Sequence, residues 1–259
     1  IRNGFTTIIS LSYLQAEELE NAAKDNPKLN FALVDGEITG KKNISSATFK
    51  DQESAYLAGL AAAYTTKSDQ VGFIGGMEGP VIQRFQSGFE AGVKAGAEAL
   101  NKEITVNVQY AASYDSPDKG KAIAASMYKE GADILYQAAG STGAGVFQEA
   151  KARNEHDYSR KVWVIGVDRD QADEGDYKME NGETGNFTLT STKKNVGAAV
   201  KEFAETSYND KFPGGKHLTF GLKEEGVDLT KGQLSEEVYQ AVSDAKEKII
   251  SGDLSVPEK

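Results

Sequence analysis

From Thr6 onward, short apolar runs rich in β-branched and aromatic residues alternate with stretches of helical periodicity. That alternation is the signature of repeated strand-helix-strand units and a parallel sheet. Strands are predicted at about 6–10, 30–35, 70–76, 104–110, 132–138, 162–168, 186–191 and 217–222. Tyr13 to Lys24 carries Leu14, Ala16, Leu19 and Ala22 in a rough helical stripe, and Gln52 to Tyr64 carries Ala55, Leu57, Leu60 and Ala63. Both read as helices covering a sheet. Pro80 stands where a first helical residue belongs, and Ile82, Phe85, Phe89 and Val93 then mark one apolar face. Further helices are predicted after Ser116-Pro117-Asp118 and from Ser235 to Ile250. The polar, acidic, glycine-containing stretch from Asp170 to Asn186 reads as an exposed loop or hairpin.

The strands end in a telling way. Val162-Trp163-Val164-Ile165-Gly166-Val167 runs unbroken into Asp168, and Phe31-Ala32-Leu33-Val34 runs into Asp35. Val71 to Gly76 ends in two glycines, and Ala132 to Gln137 places Tyr136 near its end. Strands buried on both faces are apolar throughout, and ligands collect beyond their carboxyl ends. Asp35 and Asp168 therefore stand where a ligand would be, although each would also serve as a cap for the following turn. A carboxylate there suits a vicinal diol or the N–H edge of a base, and Tyr136 offers a flat stacking surface.

The other candidate chemistry is weaker. Gly75-Gly76-Met77-Glu78-Gly79-Pro80 is a strand-to-helix turn without the Gly-Lys-Ser/Thr ending of a phosphate loop. Gly140 to Gly145 is a similar turn in which small residues let a helix approach the sheet. Ser141 lacks a nucleophile elbow, and His156 and His217 show no metal spacing. Asp168, Asp170 and Asp173 raise a metal cluster, against which stands a solvated loop with Arg169 paired to a neighbour. Trp163 is expected to pack between sheet and helix. No catalytic set and no cofactor or metal site is predicted.

The 259 residues leave room for two lobes or one large α/β unit. A net charge of −10, from 39 acidic and 29 basic residues, opposes attraction to nucleic acid. There is no cysteine, hence no disulfide or thiolate site, and no run approaches the ~20 apolar residues of a membrane span.

Five separated segments resemble the basic membrane protein family, whose best-understood branch is the purine nucleoside receptor A type. They are NISSATFKDQESAYLAG from Asn43, VGFIGGMEGPVIQRFQSGFEAG from Val71, GAGVFQEAK from Gly143, VWVIGVDRDQ from Val162 and TLTSTKKNV from Thr188. The resemblance spans essentially the whole chain and implies a type I periplasmic-binding fold. That fold is α/β, with two doubly wound parallel-sheet lobes joined by a hinge and closing on ligand. It suggests lobes at about 1–67 plus 190–259 and at about 68–189. It further implies a non-catalytic, monomeric receptor that passes purine nucleosides (adenosine, guanosine, inosine) to the permease of an ABC importer. A sugar or autoinducer receptor of the same fold, or the effector domain of a regulator, are the alternatives.

By the same resemblance Asp35 meets the purine edge, Tyr136 stacks on the base, Asp168 takes the ribose hydroxyls and Lys194 reaches the ribose. Gly76, Gly140, Ser10 and Tyr13 complete the expected ligand contacts. Relatives open with a strand, a helix and a Ser-Phe-Asn-containing motif that nothing here matches. The resemblance thus predicts a further first βα region, a signal peptide and a lipid-modified cysteine ahead of Ile1, and an extracytoplasmic protein anchored to the cell membrane.

Overall fold

The structure, a computed structural model, describes residues 1–156 and 160–259. In chain order the strands are β1 (Thr7–Ser10), β2 (Asn30–Val34), β3 (Ile44–Phe49), β4 (Gln70–Gly75), β5 (Thr105–Tyr110), β6 (Ile134–Ala138), β7 (Trp163–Gly166), β8 (Asp176–Lys178), β9 (Thr184–Asn186), β10 (Thr188–Lys194), β11 (His217–Phe220) and β12 (Val227–Leu229). The helices are α1 (Ala16–Asp25), α2 (Asp51–Thr65), α3 (Pro80–Leu100), α4 (Pro117–Glu130), α5 (Gly143–His156), α6 (Val196–Tyr208) and α7 (Glu236–Ser251). The chain divides into two compact units, Ile1–Lys50 with Lys194–Val227, and Asp51–Lys193 with Asp228–Lys259.

The first unit is built on a parallel sheet in the order β1-β2-β3-β11. Phe31, Leu33 and Ile44 are buried with Leu19 and Ala23 of α1. The expected strands omitted β3, because Ile44-Ser45-Ser46-Ala47-Thr48-Phe49 reads as too polar for a central strand. Its hydroxyls are buried but satisfied. Ser45 Oγ donates to the Lys216 carbonyl at 3.0 Å, and Ser46 Oγ donates to the Ile38 carbonyl at 3.2 Å while accepting from its amide at 2.9 Å.

The second unit carries a six-stranded sheet, β12-β10-β7-β6-β4-β5, in which β10, β7, β6, β4 and β5 pair in parallel. Its core on one side gathers Ile74, Leu135 and Val164 with Met127, Tyr128 and Phe147. The stretch expected as loop or hairpin is the antiparallel pair β8–β9. Asp168 lies beyond the end of β7, which stops at Gly166.

Helix α2 corrects the sequence reading twice. Its residues from Asp51 to Ala63 are all buried, so it is no one-sided cover. It also belongs to the second unit, as does the segment 228–259 with α7 packed against α2, although both were placed in the first lobe from the sequence. The reason is a backbone-to-backbone contact between α2 and α3. A Cβ on Gly92 would lie 2.0 Å from the Tyr56 carbonyl oxygen, one on Gly88 2.2 Å from that of Gln52, and one on Gly59 2.1 Å from that of Phe89. Arg84 of α3 adds a charge-assisted contact, with Nε and Nη2 donating to the fully buried Asp51 at 3.2 and 3.1 Å.

Gly92→Ala therefore forces the two helices apart and is expected to cost about 2 kcal/mol or more, at the upper end for overpacking of a core. Gly79→Ala, with nothing within 4 Å of its Cβ and an extended φ of 168°, is the near-neutral control. Urea denaturation of the two variants checks this, and equal midpoints would refute the close-contact account.

Candidate functional site at the strand ends

In the second unit, adjacent strands β7, β6, β4 and β5 deliver Asp168, Gly140, Gly76 and Tyr114 in that order at their carboxyl ends. Neighbouring strands lie about 4.8 Å apart, so the row spans roughly 14 Å, the scale of a small organic ligand. Asp168 is exposed and sits at φ 67°, a left-handed conformation that Asp tolerates better than most residues. The Arg169 amide donates to the Val167 carbonyl at 2.8 Å, closing a tight turn around it.

That turn is held from behind by a chain of side-chain amides. Gln171 Oε1 accepts from the Val167 amide at 2.8 Å and from Gln137 Nε2 at 2.9 Å, while Gln171 Nε2 donates to Glu174 at 3.0 Å. The Gln171 amide donates to Ser191 Oγ at 3.1 Å. Arg169 pairs with Glu174 and lies 3.9 Å from Asp173. The acidic run is thus a braced loop with Arg169 tied to its neighbours. Among the described residues no group of three or more His, Asp or Glu side chains could hold a metal ion. His156 contacts Glu180 and His217 contacts Thr48.

Tyr136 requires a correction. It is 0% exposed, packed edge-on against Phe73 and Phe85, with its hydroxyl 2.9 Å from Thr192 Oγ1. A ring without surface cannot stack on a ligand. The physical cause is its place inside β6, every residue of which is buried in a parallel sheet covered on both faces. The aromatic beside the glycines of this row is Tyr114, which is half-buried and lies in the loop after β5, where the strand pattern gave no signal for it. A Cβ on Gly76 would lie 2.3 Å from its ring, and one on Gly140 would meet its Cβ at 3.5 Å.

Tyr114 is positioned by Thr142, which is fully buried in the turn after β6. The Thr142 amide donates to the Tyr114 carbonyl at 3.1 Å, its hydroxyl donates to the Ser113 carbonyl at 3.1 Å, and it accepts from the Ser116 amide at 2.9 Å. Gly143 and Gly145 let α5 come close, as expected, with a Cβ on either meeting Gln137 Oε1 at 2.0 Å or the Pro117 carbonyl at 1.8 Å. Two glycines and one latched loop therefore frame the Tyr114 ring, on the same row of strand ends as Asp168.

The first unit has its own strand-end carboxylate. Asp35 follows β2 at φ 65°, and both its oxygens lie 3.1 Å from Lys194 Nζ. The pair is largely shielded, with side chains 18% and 6% exposed, and the ammonium lies 5.5 Å from the centre of the Phe49 ring. Ser10, at the end of β1, is buried and donates to Gln15 at 2.6 Å, while Tyr13 packs against Gly36 beside Asp35. The structure thus groups Ser10, Tyr13, Asp35 and Lys194 in one unit, and Gly76, Gly140 and Asp168 in the other.

Burial holds the Tyr136 hydroxyl well above the ordinary tyrosine range, partly countered by its Thr192 bond and reinforced by Asp168 and Asp51. Burial does the same to Tyr128, whose hydroxyl donates to the Trp163 carbonyl at 3.0 Å. Folded values above the unfolded value of about 10 mean that the unfolded chain releases these protons first, so stability is full below about pH 10 and declines as pH rises beyond it. Denaturation midpoints are expected to stay flat from about pH 7 to 9 and to fall above about pH 10. Tyr136→Phe should lessen that fall, and an unchanged alkaline slope would refute the assignment.

Residues 2–259 match the Bmp family, described as ABC transporter substrate-binding protein PnrA-like. The chain is 47% identical over 259 residues to the ABC transporter nucleoside-binding protein BmpA of Lactococcus lactis, covering all of this chain and 73% of that protein. It is 32% identical over 260 residues to basic membrane protein A of Borreliella burgdorferi, covering 98% of this chain and 71% of that one. A solved ABC transporter solute-binding protein from Aeropyrum pernix superposes with a TM-score of 0.82 at 26% identity, over 100% of this chain and 79% of its own.

Proposed function

The chain belongs to the Bmp family of PnrA-like ABC transporter substrate-binding proteins, and from that premise we propose that its ligand is a purine nucleoside. A protein of this family is the solute-binding component of an importer, not an enzyme, and works on the extracytoplasmic side. The observation that carries the nucleoside reading is the pairing of an exposed carboxylate, Asp168, with the aromatic surface of Tyr114 on one row of strand ends. A nucleoside has the matching halves: a flat base for the ring, and a vicinal diol that donates two hydrogen bonds to one carboxylate. The nucleoside-binding name of the Lactococcus lactis relative supports the same class.

In this reading Tyr114 takes the stacking role that the sequence assigned to Tyr136. Gly76 and Gly140 make room for the Tyr114 side chain itself, whose ring packs over Gly76. Within the first unit, Asp35 and Lys194 are a second pair of polar groups at a strand end, held together by their salt bridge. Selection against free ribose follows from the aromatic surface, and selection against free base from Asp168. The remaining parts of the proposal are a monomer, a transporter permease as partner and a lipid anchor ahead of Ile1.

Calorimetry with inosine, guanosine, adenosine, uridine and ribose tests the reading, using protein that includes any segment preceding Ile1. Asp168→Ala is expected to lose about 2 to 4 kcal/mol of nucleoside affinity, from charge-assisted bonds of ~1.5 to 3 kcal/mol each that are not fully additive. Tyr114→Ala should lose about 1 to 3 kcal/mol, while Tyr136→Phe leaves affinity unchanged. Tight ribose binding without nucleoside binding would overturn the ligand class, and unchanged affinity in Tyr114→Ala would overturn the stacking role.

A further inference from the structure

The opposite end of the second sheet, where β4, β6 and β7 begin, holds a cavity of about 680 Å³. That volume lies within the range of small-molecule sites. Its wall includes Lys67, Arg160, Lys161, Trp163, Asp133 and Ser235. The half-buried Trp163 is not packed between sheet and helix as the sequence suggested. It lines this cavity, with the Lys161 ammonium 3.8 Å from the centre of its ring.

The charges around the cavity are unbalanced. Among the described residues the one carboxylate in the wall is Asp133, whose oxygens accept from the Thr66 hydroxyl at 2.6 Å and the amides of Lys67 and Ser68 at 2.7 and 3.1 Å. Arg160 Nη2 donates to the carbonyls of Gly131 and Ala132, which fixes the guanidinium at the rim. Among the described residues no carboxylate forms an ion pair with Lys67, Arg160 or Lys161. Burial pushes the Lys161 ammonium below the ordinary lysine range. Ser235, in the same wall, caps the sixteen-residue helix α7, its hydroxyl accepting from the Val238 amide at 3.3 Å, while Glu236 and Glu237 stand in that helix's first turn.

Lys67, Arg160 and Lys161 are exposed on this wall and, among the described residues, none of them forms an ion pair with a carboxylate, in a chain whose net charge is −10. Their convergence on one concave, hydroxyl-bearing wall fits a multivalent anion that accepts hydrogen bonds from ammonium, guanidinium and hydroxyl together. We propose that this cavity is a second ligand site, distinct from the strand-end row, and that it takes a small soluble phosphate-bearing molecule. Asp133 positions the turn that carries Lys67, and Arg160 and Lys161 supply the remaining charge.

Trp163 is the only tryptophan of the chain, so its fluorescence reports on this cavity alone. Titration with inorganic pyrophosphate at constant ionic strength is expected to give a saturable change in that fluorescence. Lys67→Ala and Arg160→Ala should each weaken the apparent affinity about tenfold, as loss of one charge-assisted contact predicts. Lys161→Met serves as a third variant should either of these fail to fold, which urea denaturation reports. No response, a response that sodium chloride reproduces, or one that the variants retain at full affinity means an adventitious ion only and overturns the proposal. A response to phosphatidylglycerol vesicles but not to pyrophosphate overturns it as well, by assigning the charges to a membrane surface.

Discussion

A parallel sheet covered by helices leaves polar groups almost nowhere to go except its two ends. Inside the sheet each backbone group is paired, and both faces are filled by apolar side chains, so a charge placed there would be desolvated without compensation. The chain obeys this constraint at each sheet. Asp35 and Asp168 follow β2 and β7, and Asp133 precedes β6, where it accepts from Thr66, Lys67 and Ser68 of one turn. The polar residues that do enter a strand, such as Ser45 and Ser46 of β3, are hydrogen-bonded at once.

The same constraint gives the strand ends their strained backbones. Asp35 and Asp168 adopt nearly the same left-handed conformation, φ 65° and 67°, in the two separate units. A non-glycine residue there costs on the order of 1 to 2 kcal/mol. The cost is offset by surroundings that fix the conformation: the Lys194 ammonium and the Ala47 carbonyl for Asp35, and the Gln171 network for the loop around Asp168. Strain held in place by such scaffolding aims a carboxylate without letting it relax, which is what a binding group requires.

The rigidity behind the second row of strand ends comes from close backbone packing. Gly59, Gly88 and Gly92 bring α2 and α3 into direct contact, while Gly143 and Gly145 bring α5 onto β6 and α4. In each case the Cβ that is missing is the one that would have met a carbonyl or amide oxygen. Small residues that look like idle spacers along the chain thereby set the distance between layers, and through it the position of Thr142 and the Tyr114 loop that Thr142 latches.

The local sequence carried the α/β class, most strand positions and the acidic ends at Asp35 and Asp168, because these follow from periodicity and from the abrupt change of apolar run to carboxylate. The Pro80 start of α3 and the pairing of Arg169 within its loop were legible for the same reason. Strand β3 was not, since buried serines look polar until their partners at Lys216 and Ile38 are known. Nor was the allegiance of α2, whose even apolarity gives no direction and whose partner is set by three glycine contacts some thirty residues away. The exchange of Tyr136 for Tyr114 rests on the same distinction. A sequence shows which side chains are aromatic, but that Tyr136 is fully buried and Tyr114 only half-buried depends on helices covering the sheet and on a loop latched from another turn, and only the tertiary structure fixes those.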